Sequence, residues 1–227
     1  MNILNQYVKT LLEAEYPQTF DWNYFNSLSK FKDRFFYAQS HLSPSGEPGS
    51  SRRVFVIDDD AVLKLAINKK GVTQNKRESD STIQQKYPHV VTKTFRHDPN
   101  YLWVEAERVR PLTYNDLDEF KEKTGFHLGW FAHLCLVGLQ IFQDFDGEWP
   151  EGSEKVKQDF ESSIFAQELV KMMVELGQIG DISRISSYGI TKSEKIKLLD
   201  YGINNEIYNT LYKKMQKTSD DSKSRNT

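Results

Sequence analysis

Two charged residues stand where their side chains could act together on an anion: Lys64 and Glu78. Lys64 lies in the middle of the apolar, β-rich run AVLKLAI, where a buried ammonium is costly unless it faces an anion or a carboxylate. Glu78 belongs to the polar, helix-compatible segment that follows. From there its carboxylate could reach the lysine and hold it rigid while the ammonium contacts phosphate oxygens. Each residue also has a simpler interpretation, because Lys64 could point to solvent from an edge strand and Glu78 could lie on the solvated face of its helix.

A third candidate, Asp200, ends the apolar segment KIKLLD and is followed by Tyr201 and Gly202. A carboxylate at the end of a strand, with a glycine turn behind it, is suited to holding Mg²⁺. Aspartate is equally common as the residue that starts a turn. The local pattern at Asp200 leaves both interpretations open.

The elements around these residues follow the order β-β-α-β-β. RRVFVI and AVLKLAI are β-rich runs joined by the acidic turn 58–60, which predicts an antiparallel hairpin. The polar segment is helix-compatible after Gly71, and two further β-rich runs flank the turn 98–100. Upstream, residues 1–40 have helical periodicity, and the Pro- and Gly-containing loop HLSPSGEPGSS separates them from the hairpin. The lysine and the glutamate are thus placed on a strand and on the helix that follows it.

The second half of the chain is predicted to be mainly helical. Thr113 can N-cap a helix that runs through Lys123. A buried helix face is predicted for a later stripe, which consists of Phe126, Trp130, Leu134, Val137, Ile141 and Phe145. A third helix is predicted from Lys155 to Leu176, with an apolar side formed by Phe160, Ile164, Phe165, Leu169, Met172, Met173 and Leu176. These patterns predict an α+β protein.

The serial order of these parts resembles the protein kinases over about residues 43–209. In that family a strand lysine in a V-A-I-K motif pairs with a helical glutamate and D-F-G supplies a metal-binding aspartate; AVLK, Glu78 and Asp200-Tyr201-Gly202 look like those parts. The likeness is greatest to small kinase-like proteins of bacteria and their phages. It implies a bilobal α+β fold, with a β-rich N-lobe at 41–110 and a reduced helical C-lobe at 111–217. Periodicity predicts a helical extension at 1–40, and composition predicts a disordered tail at 218–227.

The resemblance also implies a set of ligands, ATP and Mg²⁺, and the residues that bind them. Gly49, Ser50 and Ser51 correspond to the glycine loop, although the other glycine positions hold Glu47 and Arg52. Glu107 and Val109, on either side of Arg108, correspond to the hinge that receives adenine. Asp181 precedes Asp200 by about the separation of the catalytic and metal-binding aspartates, and Ser186 stands where the family has a metal-binding asparagine. The resemblance therefore assigns Lys64, Asp181 and Asp200 to catalysis, Asp200 and Ser186 to the metal, and Lys64 and Glu78 to the nucleotide.

Composition limits the classes of partner. The formal charge of −2 gives no basic field, so no nucleic-acid partner is expected. The sequence has no run of the roughly 20 apolar residues that a membrane span needs, and we expect a cytoplasmic protein, in the host cytoplasm if it is encoded by a phage. The only cysteine, Cys135, is expected in the core, and the five histidines lack metal-site spacing.

Three hypotheses about function follow. The first is an ATP- and Mg²⁺-dependent phosphotransferase whose acceptor is unknown. The second is a catalytically impaired pseudokinase that binds a protein partner, which is suggested by the reduced glycine loop and by serine at position 186. The third is a structural protein of unrelated α+β fold, in which Lys64 is an exposed strand residue and the order of motifs is coincidental.

Overall fold

The larger of two sheets contains the Lys64 strand at its centre. The computed structural model describes residues 20–45, 49–133, 135, 154–177, 182–199 and 201. Its first five strands are β1 (Ser43–Pro44), β2 (Arg52–Val56), β3 (Ala61–Ala66), β4 (Thr94–His97) and β5 (Trp103–Glu107). They form an antiparallel sheet in the order β1-β2-β3-β5-β4, and the predicted hairpin is confirmed as β2 and β3, with Val54 opposite Lys64.

A smaller sheet consists of β6 (Val109–Pro111), β7 (Tyr188–Thr191) and β8 (Ile196–Leu198), all antiparallel in that order. β6 follows β5 after a single residue, so the chain passes directly from the larger sheet to the smaller one. β7 was not predicted, and the run KIKLLD forms only the three-residue strand β8. These strands are too short to show a clear alternation in sequence.

Seven helices that lie wholly within the described ranges accompany the sheets, and residues 128–133 and 135 are also helical. The seven helices are α1 (Trp22–Ser27), α2 (Phe31–His41), α3 (Lys69–Glu78), α4 (Ser81–Lys86), α5 (Leu117–Thr124), α6 (Glu154–Ser162) and α7 (Ile164–Leu176). The α+β class is confirmed. α3 begins before Gly71, not after it, because the Asn68 side chain accepts hydrogen bonds from the amides of Lys70 and Gly71 and caps the helix there. The predicted third helix is two helices, because Ser163 leaves the helical conformation and caps α7.

The two faces of β3 have different neighbours. Side chains alternate along a strand, so Leu63 and Leu65 share one face and Val62 and Lys64 share the other. The leucines pack with Phe25, Phe55 and Trp103 in a cluster that joins the larger sheet to α1 and α2. Every residue of β3 is buried, which requires that both faces are covered.

The predicted helical N-terminal region is described only from residue 20. The apolar run between Tyr24 and Tyr37 lies in α1 and α2. Phe25 belongs to the core cluster of the larger sheet, and Trp22 and Phe35 pack against that cluster. Tyr24 and Phe36 are exposed. Residues 1–19, including the first part of the predicted helical region, lie outside the described residues.

A second core cluster lies between α4, α5, α7 and the smaller sheet, with Phe120, Phe131, Leu169 and Tyr188 among its members. Thr113 caps a short 3₁₀ turn that leads into α5, close to the prediction. Two residues predicted as core are exposed: Trp130 at 48% and Ile164 at 57%. Phe131 is buried instead. The helical residues start at 128, so Phe126 lies before the helix and the three-to-four-residue spacing of its buried face does not start there.

The remaining members of the predicted stripe, Leu134, Val137, Ile141 and Phe145, lie outside the described residues. Cys135 is fully buried, as expected, and burial raises the pKa of its thiol to about 12. Within the described ranges no helix has the length and apolar character needed to cross a membrane.

Candidate functional site

A cavity of about 680 Å³ opens between the larger and the smaller sheet; we call it the Lys64 cavity. Its lining includes seven residues that the sequence analysis proposed for ligand binding: Gly49, Ser50, Ser51, Lys64, Glu107, Val109 and Ser186. The remaining lining residues are Ser45, Arg52, Val54, Val62, Gln74, Thr92, Pro111, Leu112, Thr113 and Leu199. The cavity thus has polar groups from the 49–51 loop and apolar groups from both sheets.

Lys64 is a buried lysine of the central strand. Its side chain shares a face with Val62, so the strand alternation that buries Leu63 and Leu65 against the helices directs Lys64 into the cavity. Lys64 is 8% exposed, and its Nζ donates to Glu78 Oε2 at 2.7 Å and to the carbonyl of Leu199 at 3.3 Å. The interpretation of Lys64 as a solvent-facing residue of an edge strand is therefore wrong.

Glu78, in the last turn of α3, holds two cations. It is 1% exposed, and besides the Lys64 contact its Oε1 lies 2.8 Å from the guanidinium of Arg52. Burial alone would raise the pKa of Glu78, but the charges of Arg52 and Lys64 outweigh it and hold the pKa below its usual value. The carboxylate is therefore ionised at neutral pH, and the interpretation of Glu78 as a solvated helix residue is wrong.

The backbone carbonyl of Glu78 is fixed as firmly as its side chain. It accepts hydrogen bonds from Gln84 Nε2 at 2.8 Å, Thr94 Oγ1 at 3.0 Å and the Tyr201 hydroxyl at 3.1 Å. A helix ends at Glu78, so its carbonyl has no partner within the helix and needs these donors. Three separate segments of the chain therefore fix the residue that orients Lys64.

The 49–51 loop is anchored to α3. Ser51 Oγ donates to Gln74 Oε1 at 2.7 Å, and Asn68 Nδ2 donates to the carbonyl of Ser50 at 3.0 Å. Gly71 allows the close approach of helix and loop, since a Cβ atom there would lie 2.2 Å from the carbonyl oxygen of Ser51. The loop and the Lys64–Glu78 pair are consequently parts of one packed unit.

The segment predicted as the hinge connects the two sheets along one wall of the Lys64 cavity. The amide of Glu107 donates to the Lys93 carbonyl at 2.7 Å, and the amide of Arg108 donates to the Asp60 carbonyl at 2.8 Å. Val109 begins β6 and pairs with Thr191 of β7. Glu107 and Val109 therefore lie where both sheets contribute to the cavity.

Two predicted catalytic residues, Asp181 and Asp200, lie outside the described residues. Both residues adjacent to Asp200 in sequence are described: the Leu199 carbonyl contacts Lys64, and the buried Tyr201 contacts Glu78. Ser186 lies in the cavity lining. In the described part of the chain, no group of three or more His, Cys, Asp or Glu residues is arranged to hold a metal ion.

Arg52 is the cavity residue whose contact the sequence did not predict. In the sequence Arg52 stands out only as a departure from the glycine loop, at a position where the resemblance expects glycine. In the structure Arg52 lies one residue after the loop, in β2, and its guanidinium reaches Glu78. The cluster of Arg52, Lys64 and Glu78 thus combines two positive charges with one negative charge, and its chemistry suits the binding of an anion.

Comparison of the sequence with known proteins identifies no relative. No protein-family model matches the chain, and no curated protein matches it in sequence.

Proposed function

We propose that the chain is a protein-kinase-like protein of bilobal fold, and that its Lys64 cavity binds ATP with Mg²⁺ for transfer of a phosphoryl group. The observation that carries the proposal is the buried ion pair between Lys64 and Glu78 at the wall of a cavity that also contains the 49–51 loop. A buried ammonium held by a carboxylate, with a loop of small residues beside it, suits the recognition of phosphate oxygens.

The residues of the cavity fit both ends of a nucleotide. Its volume of about 680 Å³ falls in the range of roughly 300–1,000 Å³ typical of small-molecule pockets. Val54, Val62 and Leu112 supply apolar surface suited to a flat base. The cations of Lys64 and Arg52 supply charge for phosphates. This division into apolar and cationic parts favours a nucleotide over a wholly apolar ligand.

In this proposal each residue has a distinct task. Lys64 binds phosphate oxygens, and Glu78 orients Lys64 through the 2.7 Å contact. The 49–51 loop faces the phosphates with its hydroxyl and amide groups. Asp200 and Ser186 would hold Mg²⁺, and Asp181 would accept the proton of the acceptor hydroxyl. Bound Mg²⁺-ATP would supply the phosphoryl group and the charge neutralisation that its transfer requires.

A phosphoryl-transfer assay tests the catalytic part of the proposal. Purified protein is incubated with Mg²⁺ and γ-labelled ATP, and both release of labelled phosphate and labelling of the protein are followed. We expect activity in the wild type, loss of activity in Lys64→Ala and Asp181→Ala, and unchanged activity in Lys192→Ala, an exposed lysine that pairs with Asp60. Activity that persists in Asp181→Ala would contradict the role given to that aspartate.

A second candidate function is nucleotide binding without transfer. Ser186 favours it, because a hydroxyl is a weaker Mg²⁺ ligand than an amide carbonyl and Ser186 lines the cavity. The two functions share the Lys64 cavity but differ in one result. A pseudokinase would bind Mg²⁺-ATP through Lys64 and show no transfer in the assay above, whereas a phosphotransferase would show both.

A further inference from the structure

A second cavity, of about 480 Å³, lies beside the smaller sheet; we call it the Lys197 cavity. It is bounded by α4, by the segment that leads into β4, and by the β7–β8 hairpin. Its lining residues are Ser81, Gln84, Gln85, Pro88, Val91, Lys93, Glu107, Ser193, Lys195 and Lys197. Glu107 lines both cavities, so the end of β5 separates them.

The lining of the Lys197 cavity is strongly basic. It has three lysines, Lys93, Lys195 and Lys197, and one acidic residue, Glu107. Among the described residues, none of the three lysines is in an ion pair with a carboxylate, although Lys93 lies over the ring of Phe95. Several other lysines of the described surface are paired: Lys86 with Glu175, Lys123 with Glu194, and Lys192 with Asp60. The lining of this cavity therefore has more positive than negative charge.

Lys197 is the most unusual member of the group, because it is 6% exposed and its Nζ donates to the backbone carbonyl of Pro88. An ammonium has three N–H donors, and a single carbonyl replaces only part of its lost hydration. Burial lowers the pKa of Lys197, and Lys195 lowers it further, while Glu107 and Glu168 act in the opposite direction. A desolvated cation of this kind would be stabilised by an anion placed beside it.

We propose that the Lys197 cavity is a second binding site, specific for a small phosphate-bearing anion. Lys197 supplies a charge-assisted hydrogen bond from the buried side, and Lys93 and Lys195 supply positive charge at the mouth. Ser81, Gln85 and Ser193 add neutral polar groups to the lining. This site does not depend on nucleotide binding in the Lys64 cavity.

The site also has a direct structural connection to the first one. Gln84, in its lining, donates to the carbonyl of Glu78 at 2.8 Å and accepts from the amide of Thr94 at 2.9 Å. Glu107 lies in the lining of both cavities. An anion that shifted α4 would therefore act on the residue that orients Lys64.

Calorimetric titration with inorganic pyrophosphate, at constant ionic strength, tests the proposal. The titration is done on the full chain carrying Lys64→Met, whose folding is checked by circular dichroism, so that the Lys64 cavity lacks its central cation and binds phosphate groups more weakly. In that background we expect one site, weakened at least about tenfold by Lys197→Met, which corresponds to about 1.4 kcal/mol. The methionine keeps the apolar stem of the lysine. Lys192→Ala, on the same hairpin, is the matched control and should leave the affinity unchanged.

A double variant covers the case in which Lys197→Met does not fold. Lys93 and Lys195 are exposed, so Lys93→Ala/Lys195→Ala should fold, which circular dichroism checks, and should weaken pyrophosphate binding severalfold. Equal affinity in this double variant and in its parent would overturn the proposal, and so would the absence of pyrophosphate binding to Lys64→Met at millimolar concentration. Loss of ATP binding in Lys64→Met with retained pyrophosphate binding would support both sites separately.

Discussion

The two cavities on either side of Glu107 both contain a buried lysine, but the lysine has a carboxylate as its partner in one cavity and a backbone carbonyl in the other. In the Lys64 cavity the ammonium is held by the buried carboxylate of Glu78, which also pairs with Arg52. The backbone carbonyl of Glu78 accepts hydrogen bonds from three other segments. In the Lys197 cavity the ammonium has a backbone carbonyl as its partner in the described structure. The first arrangement orients a cation before any ligand binds, whereas the second leaves a cation whose charge a ligand could balance.

The largest expected effect concerns the carboxylate of the first cavity. Glu78→Gln keeps the shape of the side chain but leaves Lys64 and Arg52 buried without their counter-charge, so we expect the free energy of unfolding to fall by about 3–5 kcal/mol. Urea denaturation measures this fall in the free energy of unfolding. The control is Glu194→Gln, which removes an exposed ion pair with Lys123 and should have no measurable effect. A small loss in Glu78→Gln would mean that the pair is not tightly coupled.

The next effect concerns the packing that joins the 49–51 loop to α3. Gly71→Ala would place a methyl group 2.2 Å from the Ser51 carbonyl, so helix and loop must separate, and we expect a loss of about 1–3 kcal/mol. Gly129→Ala is the matched control, because a Cβ atom there would meet nothing within 4 Å. Thermal denaturation gives the melting temperatures of the two variants for comparison. Equal melting temperatures would show that the loop is not anchored as described.

Replacing the second lysine should affect stability much less. Lys197→Met removes a desolvated ammonium but also one hydrogen bond to Pro88, so we expect the free energy of unfolding to change by no more than about 1 kcal/mol. The comparison with Glu78→Gln is made under the same denaturation conditions. A loss as large as that of Glu78→Gln would contradict the difference between the two cavities.

The pH dependence of stability should have the same direction at the two sites but fall in different pH ranges, acidic for Glu78 and alkaline for Lys197. The pKa of Glu78 is lowered in the folded protein, so its contribution is present above the usual value of 4.5 and is lost as the pH falls through the folded pKa. The pKa of Lys197 is also lowered, so the folded state loses that proton first and stability rises as the pH increases toward 10.5. Unfolding measured from acid to alkaline pH should show that Glu78→Gln flattens the acid limb and Lys197→Met the alkaline limb.

The sequence predicted the Lys64 cavity better than the Lys197 cavity, because the residues that mark the first are close in sequence and those that mark the second are far apart. A lysine inside an apolar strand is conspicuous, and a helix that follows directly limits the carboxylates that can reach it. Lys93, Lys195 and Lys197 come from separated segments, and nothing local to any one of them indicates a shared cavity. The contact between Arg52 and Glu78 was missed for the same reason, since strand register places Arg52 near α3.

The errors in the core have a local cause as well. Trp130 was assigned to a buried stripe counted from Phe126, but Phe126 precedes the helical residues and the phase is shifted. Ile164 was assigned to a continuous helix, whereas Ser163 interrupts it and Ile164 becomes the first residue of α7. Helical periodicity therefore predicted that helices exist but not where each one starts.

The most direct test of the central claim is the thermal shift of the purified protein on addition of Mg²⁺ and ATP, since a ligand that binds only the folded state raises its stability. Wild type, Lys64→Ala, Asp200→Asn and Lys197→Met are compared, each with its own ligand-free melting temperature. We expect a shift in the wild type and in Lys197→Met that is absent in Lys64→Ala and Asp200→Asn. No shift in the wild type up to millimolar ATP would contradict a nucleotide site in the Lys64 cavity.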